Sequence, residues 1–191
     1  ASGGEKAIGQ ATNSQARFAI DTADTIIFVV DSQGGLAPLD EEIAGLLRSS
    51  GKDVILAVNK VDLPSHSARS SEFFRLGFKD VAEPSAEHGY GLESLAHMLE
   101  SRYGKIEAPS GDDAADRVKI SVAGRPNVGK SSIANRLLGE DRLIVSKVAG
   151  TTRDSVKFDI DAVSKKGVEM KFRLFDTAGL KLNRKTNSSL D

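Results

Sequence analysis

A glycine-rich segment in the second half of the chain has the residue types needed to bind phosphate. It matches the pattern G-x-x-x-x-G-K-[ST] and reads Gly124-Arg125-Pro126-Asn127-Val128-Gly129-Lys130-Ser131. Glycines allow successive backbone N–H groups to turn toward phosphate oxygens, and a helix that begins there adds its dipole. We expect Lys130 to contact the β- and γ-phosphates of a nucleotide, and the Ser131 hydroxyl to coordinate Mg²⁺. The segment therefore predicts a phosphate loop.

Two segments farther along the chain carry groups suited to Mg²⁺ and a terminal phosphate. Asp176 opens the sequence Asp176-Thr177-Ala178-Gly179 at the end of a predicted strand, where its carboxylate suits Mg²⁺ held through water. Gly179 can offer its N–H to a γ-phosphate. From the intervening stretch Gly150-Thr151-Thr152-Arg153-Asp154 we predict Thr152, in preference to Thr151, as a ligand of Mg²⁺. A solvent-facing turn is the alternative for these threonines.

The first part of the chain carries residues suited to recognising guanine. Asn59-Lys60-Val61-Asp62 closes an apolar run, and the Asp62 carboxylate can accept hydrogen bonds from guanine N1–H and the exocyclic amine, which adenine cannot match. Lys60 would lay its methylenes along the ring, and Asn59 would tie neighbouring loops together. Ser85-Ala86-Glu87 follows the next predicted strand and can present a backbone N–H to guanine O6. Guanine is therefore favoured over adenine.

The composition is that of an ordinary globular protein and excludes several kinds of site. Lys plus Arg number 26 and Asp plus Glu 27, so the formal charge of −1 excludes a polycation that holds nucleic acid by charge alone. The chain has no cysteine, which excludes disulfides, thiolate zinc sites and cysteine nucleophiles. The most apolar run, Ile26–Val30, is too short to cross a bilayer, and the opening residues lack a signal-peptide pattern. We expect a cytoplasmic protein that does not contact a membrane.

Elements of two kinds alternate along the chain and must position these residues. Apolar, β-branched runs predict strands at Thr25–Asp31, Asp53–Asn59, Phe78–Pro84, Arg117–Ala123, Val156–Val163 and Glu169–Asp176. Amphipathic stretches predict helices at Glu5–Thr22, Leu39–Ser50, Ser67–Gly77, Gly91–Tyr103 and Lys130–Leu138. This alternation predicts an α/β fold with a mostly parallel sheet. The short polar turn Ser164-Lys165-Lys166-Gly167 predicts an antiparallel hairpin between the last two strands.

A polar stretch without periodicity divides the chain into two segments. Residues 105–116 contain Pro, Gly and four aspartate or glutamate side chains, and we interpret them as an acidic linker. Residues 1–104 form the base-binding half, with NKVD and SAE. Residues 117–191 form the phosphate-binding half, with the phosphate loop and DTAG.

The motifs resemble those of the Der (EngA) family of bacterial tandem GTPases, within the TrmE-Era-EngA-like P-loop GTPases. GRPNVGKSS, GTTRD and DTAGL resemble the start of that family's second GTPase domain, whereas TIIFVVD, LAPLDEEIA, NKVD and SAEHGYG resemble the end of its first. The first segment lacks a phosphate loop of its own and the second lacks NKxD. The resemblance therefore predicts an internal piece of such a protein, with the GTPases of permuted motif order as the competing family.

The resemblance implies hydrolysis of GTP to GDP with Mg²⁺, and a role in assembling the large ribosomal subunit with a ribosomal or rRNA partner. Asn127 holds the position that helps coordinate a K⁺ ion in similar GTPases; a loop-stabilising hydrogen bond is the alternative. Leu180 stands where Ras-like proteins place a water-orienting glutamine, so slow turnover is expected. A fragment that binds GDP or GTP without turnover is the competing function, and NKVD disfavours an ATP-using P-loop kinase.

The candidate residues fall into three sets. The catalytic set is Lys130, Thr152, Gly179 and Asn127. The metal-binding set is Ser131, Thr152 and Asp176. The nucleotide-binding set is Gly124, Asn127, Val128, Gly129, Lys130, Ser131, Ser132, Asn59, Lys60, Asp62, Ser85, Ala86 and Glu87.

The resemblance also implies the Ras-like P-loop NTPase fold, with three α/β/α layers around a mostly parallel, six-stranded sheet. Each segment would supply half of that sheet, and either half alone would expose a long apolar strand edge to water. Pairing Arg117–Ala123 with Thr25–Asp31 would remove both edges. We therefore predict one permuted GTPase domain, formed within one chain or by exchange between two chains. Two incompletely folded halves are the alternative.

Overall fold

A computed structural model of the protein describes residues 17–62, 70–103, 117–138, 143–147, 156–163 and 169–176. The predicted linker 105–116 and residues 5–16 of the first predicted helix lie outside these ranges. Residues 17–22, the end of that helix, are helical and are named α1.

The described residues form strands and helices that alternate over most of the chain. The strands are β1 (Thr25–Asp31), β2 (Asp53–Asn59), β3 (Asp80–Ala82), β4 (Val118–Ala123), β5 (Leu143–Lys147), β6 (Val156–Val163) and β7 (Glu169–Asp176). The helices after α1 are α2 (Pro38–Ser49), α3 (Leu92–Tyr103) and α4 (Lys130–Leu138), with a 3₁₀ helix at Ser71–Leu76 between β2 and β3. Most predicted elements are therefore present within a few residues of their expected bounds.

The strands build one sheet in the order β3-β2-β1-β4-β7-β6-β5. Pairs from β3 to β7 are parallel, and β6 pairs antiparallel with both β7 and β5. Strand β1 of the first segment pairs with β4 of the second, with Thr25 opposite Ile120 and Phe28 opposite Ala123. Both segments thus contribute to one sheet within one chain, and the α/β fold with permuted motif order is confirmed.

The structure differs from the predicted six-stranded sheet by one strand. β5 extends the sheet beyond β6, with Leu143 opposite Ala162 and Lys147 opposite Phe158. A run of five residues carries too little periodicity to indicate a strand, and pairing with the β6 edge is what defines this one. The predicted hairpin between β6 and β7 is confirmed.

The predicted helix Ser67–Gly77 is confirmed at Ser70 and is wrong in type over residues 71–76. Ser71–Leu76 form a 3₁₀ helix, which ends at Gly77 with a left-handed φ of 78°. Phe73 and Leu76 are its buried side chains, and their spacing of three residues matches the three residues per turn of a 3₁₀ helix. Of the predicted strand Phe78–Pro84, only Asp80–Ala82 pair with β2, and β3 is an edge strand of the sheet.

Two apolar clusters cover the two faces of the sheet. One lies under α3 and α4, and the other lies under α2 and the 3₁₀ helix. This gives the three layers expected of the fold. Within the described ranges, no helix combines the length and apolar character required to span a membrane.

Candidate functional site

The glycine-rich loop connects β4 to α4, as the phosphate-loop prediction requires. Asn127 has a φ of 64°, and Gly124 and Gly129 have φ values of 145° and 95°. A Cβ on Gly129 would collide with the Asn59 amide, and one on Gly124 would collide with the carbonyl oxygen of Val29. Glycine is therefore required at both positions, because the loop passes close to β1 and to the end of β2.

The lysine and serines of the loop lie at the first turn of α4. The Lys130 ammonium donates to the carbonyl oxygens of Gly124 and Arg125, both at 2.9 Å. Ser131 is half-buried and Ser132 is exposed. The hydroxyl and ammonium groups therefore stand at a helix N-terminus, where the backbone N–H groups and the helix dipole favour anions.

Asn59 joins the phosphate loop to the loop that contains Ser85-Ala86-Glu87. Its Nδ2 donates to the carbonyl oxygen of Val128 at 2.8 Å, and its Oδ1 accepts from the N–H of Ala86 at 3.1 Å. The side chain is 2% exposed, and Val128 is buried. The buried amide thus bonds to a residue 69 positions farther along the chain, in the other segment.

Lys60 is held beside the end of β1. It has a φ of 67°, and its Nζ lies 2.6 Å from Oδ2 of Asp31. Burial alone would raise the pKa of Asp31, but the hydrogen bond from Lys60 and the N–H groups of Gln33 and Gly34 outweigh burial and lower the pKa. Asp31 therefore remains ionised and positions the Lys60 side chain.

Asp62 accepts hydrogen bonds on both carboxylate oxygens. Ser85 Oγ donates to Oδ1 at 2.7 Å, and Gln33 Nε2 donates to Oδ2 at 2.8 Å. The imidazole of His88 lies 3.9 Å from Oδ1. Asp62 and Ser85, predicted separately from two motifs, are in direct contact.

The loop containing Ser85-Ala86-Glu87 is fixed to the second segment by a residue that no motif indicated. Arg136 on α4 donates from Nε to the carbonyl oxygen of Ala86 at 3.0 Å, and from Nη2 to that of Glu87 at 2.8 Å. The N–H of Ser85 bonds to Tyr90 O, and that of Ala86 to Asn59. A guanine O6 would therefore compete with Asn59 for the N–H of Ala86.

Arg125 of the phosphate loop makes a second connection to the first segment. Its Nε lies 3.1 Å from Oδ2 of Asp40, a fully buried carboxylate that also accepts the N–H of Ala37 at the start of α2. Neither Arg125 nor Asp40 was predicted to bind nucleotide. An arginine and an aspartate 85 residues apart carry no local pattern, so only folding relates them.

The structure describes only part of the predicted metal-binding set. Asp176 ends β7, where it lies opposite Val122 of β4, the strand that leads into the phosphate loop. Thr152 and Gly179 lie outside the described residues. By residue type, a serine at a helix N-terminus and an aspartate at the end of a neighbouring strand suit Mg²⁺, which binds few protein groups and completes its octahedron with water and phosphate oxygens. In the described ranges, no group of three or more His, Asp or Glu side chains forms a separate metal site.

Comparisons with known proteins place the chain among GTPases. The model of a family described as 50S ribosome-binding GTPase matches residues 3–60 and 119–190, in both segments. GTPase Der of Syntrophotalea carbinolica is 43% identical over 179 residues, which are 93% of this chain and 39% of that protein. GTPase Der of Xanthomonas campestris pv. campestris strain B100 is 41% identical over 192 residues, 99% of this chain and 40% of that protein. The chain therefore spans about 40% of the length of these curated relatives.

Among solved structures, the crystal structure of YjeQ from Thermotoga maritima aligns with this chain at a TM-score of 0.49 and 19% sequence identity. The alignment covers 78% of this chain and 47% of that one.

Proposed function

Because the chain belongs to the family of 50S ribosome-binding GTPases, we propose that its two segments together bind one guanine nucleotide with Mg²⁺ and hydrolyse GTP to GDP and phosphate. The observation that carries this proposal is the buried amide of Asn59. It bonds to Val128 of the phosphate loop and to Ala86 of the loop that follows β3. The residues suited to phosphate and those suited to the base thus both lie at the carboxyl ends of strands of one sheet.

In the proposed complex, Asp62 recognises guanine through N1–H and the exocyclic amine, because an ionised carboxylate only accepts hydrogen bonds. The aliphatic stem of Lys60 lies along the base while its ammonium remains paired with Asp31. Adenine presents an acceptor at N1 and would leave the Asp62 carboxylate without a donor there.

The phosphates bind at the N-terminus of α4. On nucleotide binding, Lys130 exchanges its two carbonyl partners for β- and γ-phosphate oxygens. The backbone N–H groups of Gly129, Lys130 and Ser131 donate to the same phosphates. Ser131, Thr152 and Asp176 would hold Mg²⁺, which neutralises charge on the phosphates when bound. Gly179 donates to the γ-phosphate, and Asn127 assists K⁺ binding beside it. The protein's contribution is positioning and charge stabilisation.

The proposed site acts as a switch in ribosome assembly in the cytoplasm, with a partner in the large ribosomal subunit. The family description supports this partner. Nucleotide binding without turnover is the second candidate. The sequence favours it in one respect, since Leu180 supplies no side chain that could orient a water molecule.

Titration with fluorescent GDP in Mg²⁺ tests the shared site. Lys130→Ala and Asp62→Ala should each weaken binding by at least roughly tenfold, since each removes a charge-assisted hydrogen bond from a different segment. Lys79→Ala is the matched control, because Lys79 is exposed beside the opposite end of β3. Specific binding that survives Asp62→Ala would contradict a site built by both segments.

Two further measurements complete the test. A monomeric mass of the GDP-bound protein would indicate a site within one chain, whereas a dimeric mass would indicate exchange of segments between chains. Phosphate release from GTP in K⁺ that exceeds release in Na⁺ would support the enzyme and the role of Asn127. GDP binding with no release in either salt would leave the binding module as the function.

A further inference from the structure

The carboxylate of Asp62, which is proposed to recognise the base, has two protein donors at hydrogen-bond distance. Ser85 Oγ lies 2.7 Å from Oδ1 of Asp62, and Gln33 Nε2 lies 2.8 Å from Oδ2. The Asp62 side chain is 21% exposed, so a base can approach it from solvent. Guanine presents two donors to such a carboxylate, N1–H and the exocyclic amine. Ser85 and the Gln33 amide therefore each use one lone pair on the two oxygens that guanine would contact.

The Gln33 side chain starts from a backbone that is held in place. Its own N–H donates to Oδ1 of Asp31 at 2.9 Å, and Ser32 Oγ donates to the carbonyl oxygen of Lys60 at 3.0 Å. The N–H of Ser32 also donates to the carbonyl oxygen of Asn59 at 3.0 Å. The turn after β1 is thereby attached to the loop that contains Asp62. Little backbone freedom has to be lost when the amide meets the carboxylate, which favours the contact.

Guanine and hypoxanthine nucleotides differ in how many hydrogen bonds they can donate to Asp62, and therefore in how they affect the contact between Gln33 and Asp62. Hypoxanthine has the same N1–H and O6 as guanine but lacks the exocyclic amine. It can bond to Oδ1 of Asp62, which has a second lone pair beside the hydrogen bond from Ser85, while Gln33 keeps Oδ2. Guanine brings a second donor to Oδ2, where its exocyclic amine competes with the Gln33 amide for the carboxylate.

We propose that Gln33 is a specificity-determining residue whose amide competes with the exocyclic amine of guanine for Asp62. The inference rests on the proposed function, because it assumes that Asp62 binds the base. Its consequence is a reduced preference for guanine over hypoxanthine nucleotides. One net hydrogen bond changes an equilibrium constant by roughly three- to tenfold, which sets the expected size of the effect.

Isothermal titration of the full chain with GDP and with IDP, both in Mg²⁺, tests the inference. Gln33→Met keeps the length of the side chain and removes its donor, and Gln33→Ala is a second variant that also removes its bulk. Glu42→Met is the matched control, since Glu42 is a side chain of similar length exposed on α2. Circular dichroism and the thermal midpoint report whether each variant is folded.

The ratio of the GDP to the IDP association constant should rise roughly three- to tenfold in both Gln33 variants, mainly through tighter GDP binding. It should stay at the parent value in Glu42→Met. A ratio that stays within about twofold of the parent value, or falls, in folded Gln33 variants that bind both nucleotides would overturn the inference and leave the proposed function intact. A folded parent chain that binds neither nucleotide would overturn both.

Discussion

The two faces of the sheet differ in which parts of the chain build them. We call the cluster under α3 and α4 the shared face, because both segments contribute buried side chains to it. Ile27 and Leu95 come from the first segment, and Ile133 and Leu174 come from the second. The cluster under α2 and the 3₁₀ helix, here the first-segment face, consists of buried residues between Ala23 and Leu76. Among the described residues, the shared face therefore joins the segments through fully buried side chains of both, whereas the second segment adds the partly buried Ala123 to the first-segment face.

Strand β1 contributes to both faces because successive side chains of a strand point to opposite sides of a sheet. Ile27 and Val29 pack in the shared face, whereas Ile26, Phe28 and Val30 pack in the first-segment face. This difference between the two faces indicates that the first segment has an apolar core of its own. The second-segment elements β4, β7 and α4 instead pack in a core that they share with the first segment. The candidate site lies at the edge of the same sheet and needs the shared face intact.

The largest expected effect on stability comes from replacing one buried leucine on each face with alanine. Leu174→Ala on the shared face and Leu47→Ala on the first-segment face should each lower the free energy of unfolding by about 2–5 kcal/mol, since both side chains are buried. Leu174→Ala should also speed amide hydrogen exchange along the β1–β4 pairing, whereas Leu47→Ala should speed it mainly in β2 and α2. Urea unfolding and exchange measured by mass spectrometry check both effects. Equal exchange along β1–β4 in the two variants would contradict the division into faces.

A smaller effect is expected from a charge pair that lies wholly in the first segment. Asp31→Asn should cost about 1 kcal/mol at pH 7, because Lys60 is partly exposed and water screens the pair. The folded state lowers the pKa of Asp31, so its contribution is present at neutral pH and is lost as the pH falls below the ordinary carboxyl range toward the folded-state pKa. Urea unfolding at pH 7 and near pH 3 should show the difference between parent and variant shrinking on acidification. A difference that grows at low pH would be inconsistent with this sign.

The smallest effect is expected at the surface of the first-segment face. Arg75 pairs with Glu41 at 2.7 Å, and both side chains are more than half exposed. Arg75→Ala should change the free energy of unfolding by less than about 1 kcal/mol, because exposed ion pairs contribute little. It should leave exchange along β1–β4 at the parent rate. A loss comparable to that of Leu47→Ala would mean that this pair holds the 3₁₀ helix to α2 more firmly than its exposure suggests.

Most of the elements could be predicted because periodicity and motif position are local signals. The runs at β1 and β2 and the amphipathic pattern at α4 were placed within a residue of the observed bounds. β5 and the 3₁₀ helix escaped prediction, since the first depends on a neighbouring strand and the second on packing of Phe73 and Leu76. The contacts of Arg136, Arg125 and Gln33 were missed because their partners lie far away along the chain.

The amino-acid sequence alone determined the class of fold, the phosphate loop and the residue types suited to guanine, because each depends on a few neighbouring positions. The sequence predicted one shared sheet and left two unpaired halves as the alternative, and the tertiary structure decided between them and identified Val128 and Ala86 as the partners of Asn59. An unpaired β1 or β4 edge would expose apolar residues and unsatisfied backbone groups to water. Pairing the segments removes that cost. The pairing also brings the two sets of motifs together at the carboxyl ends of the strands.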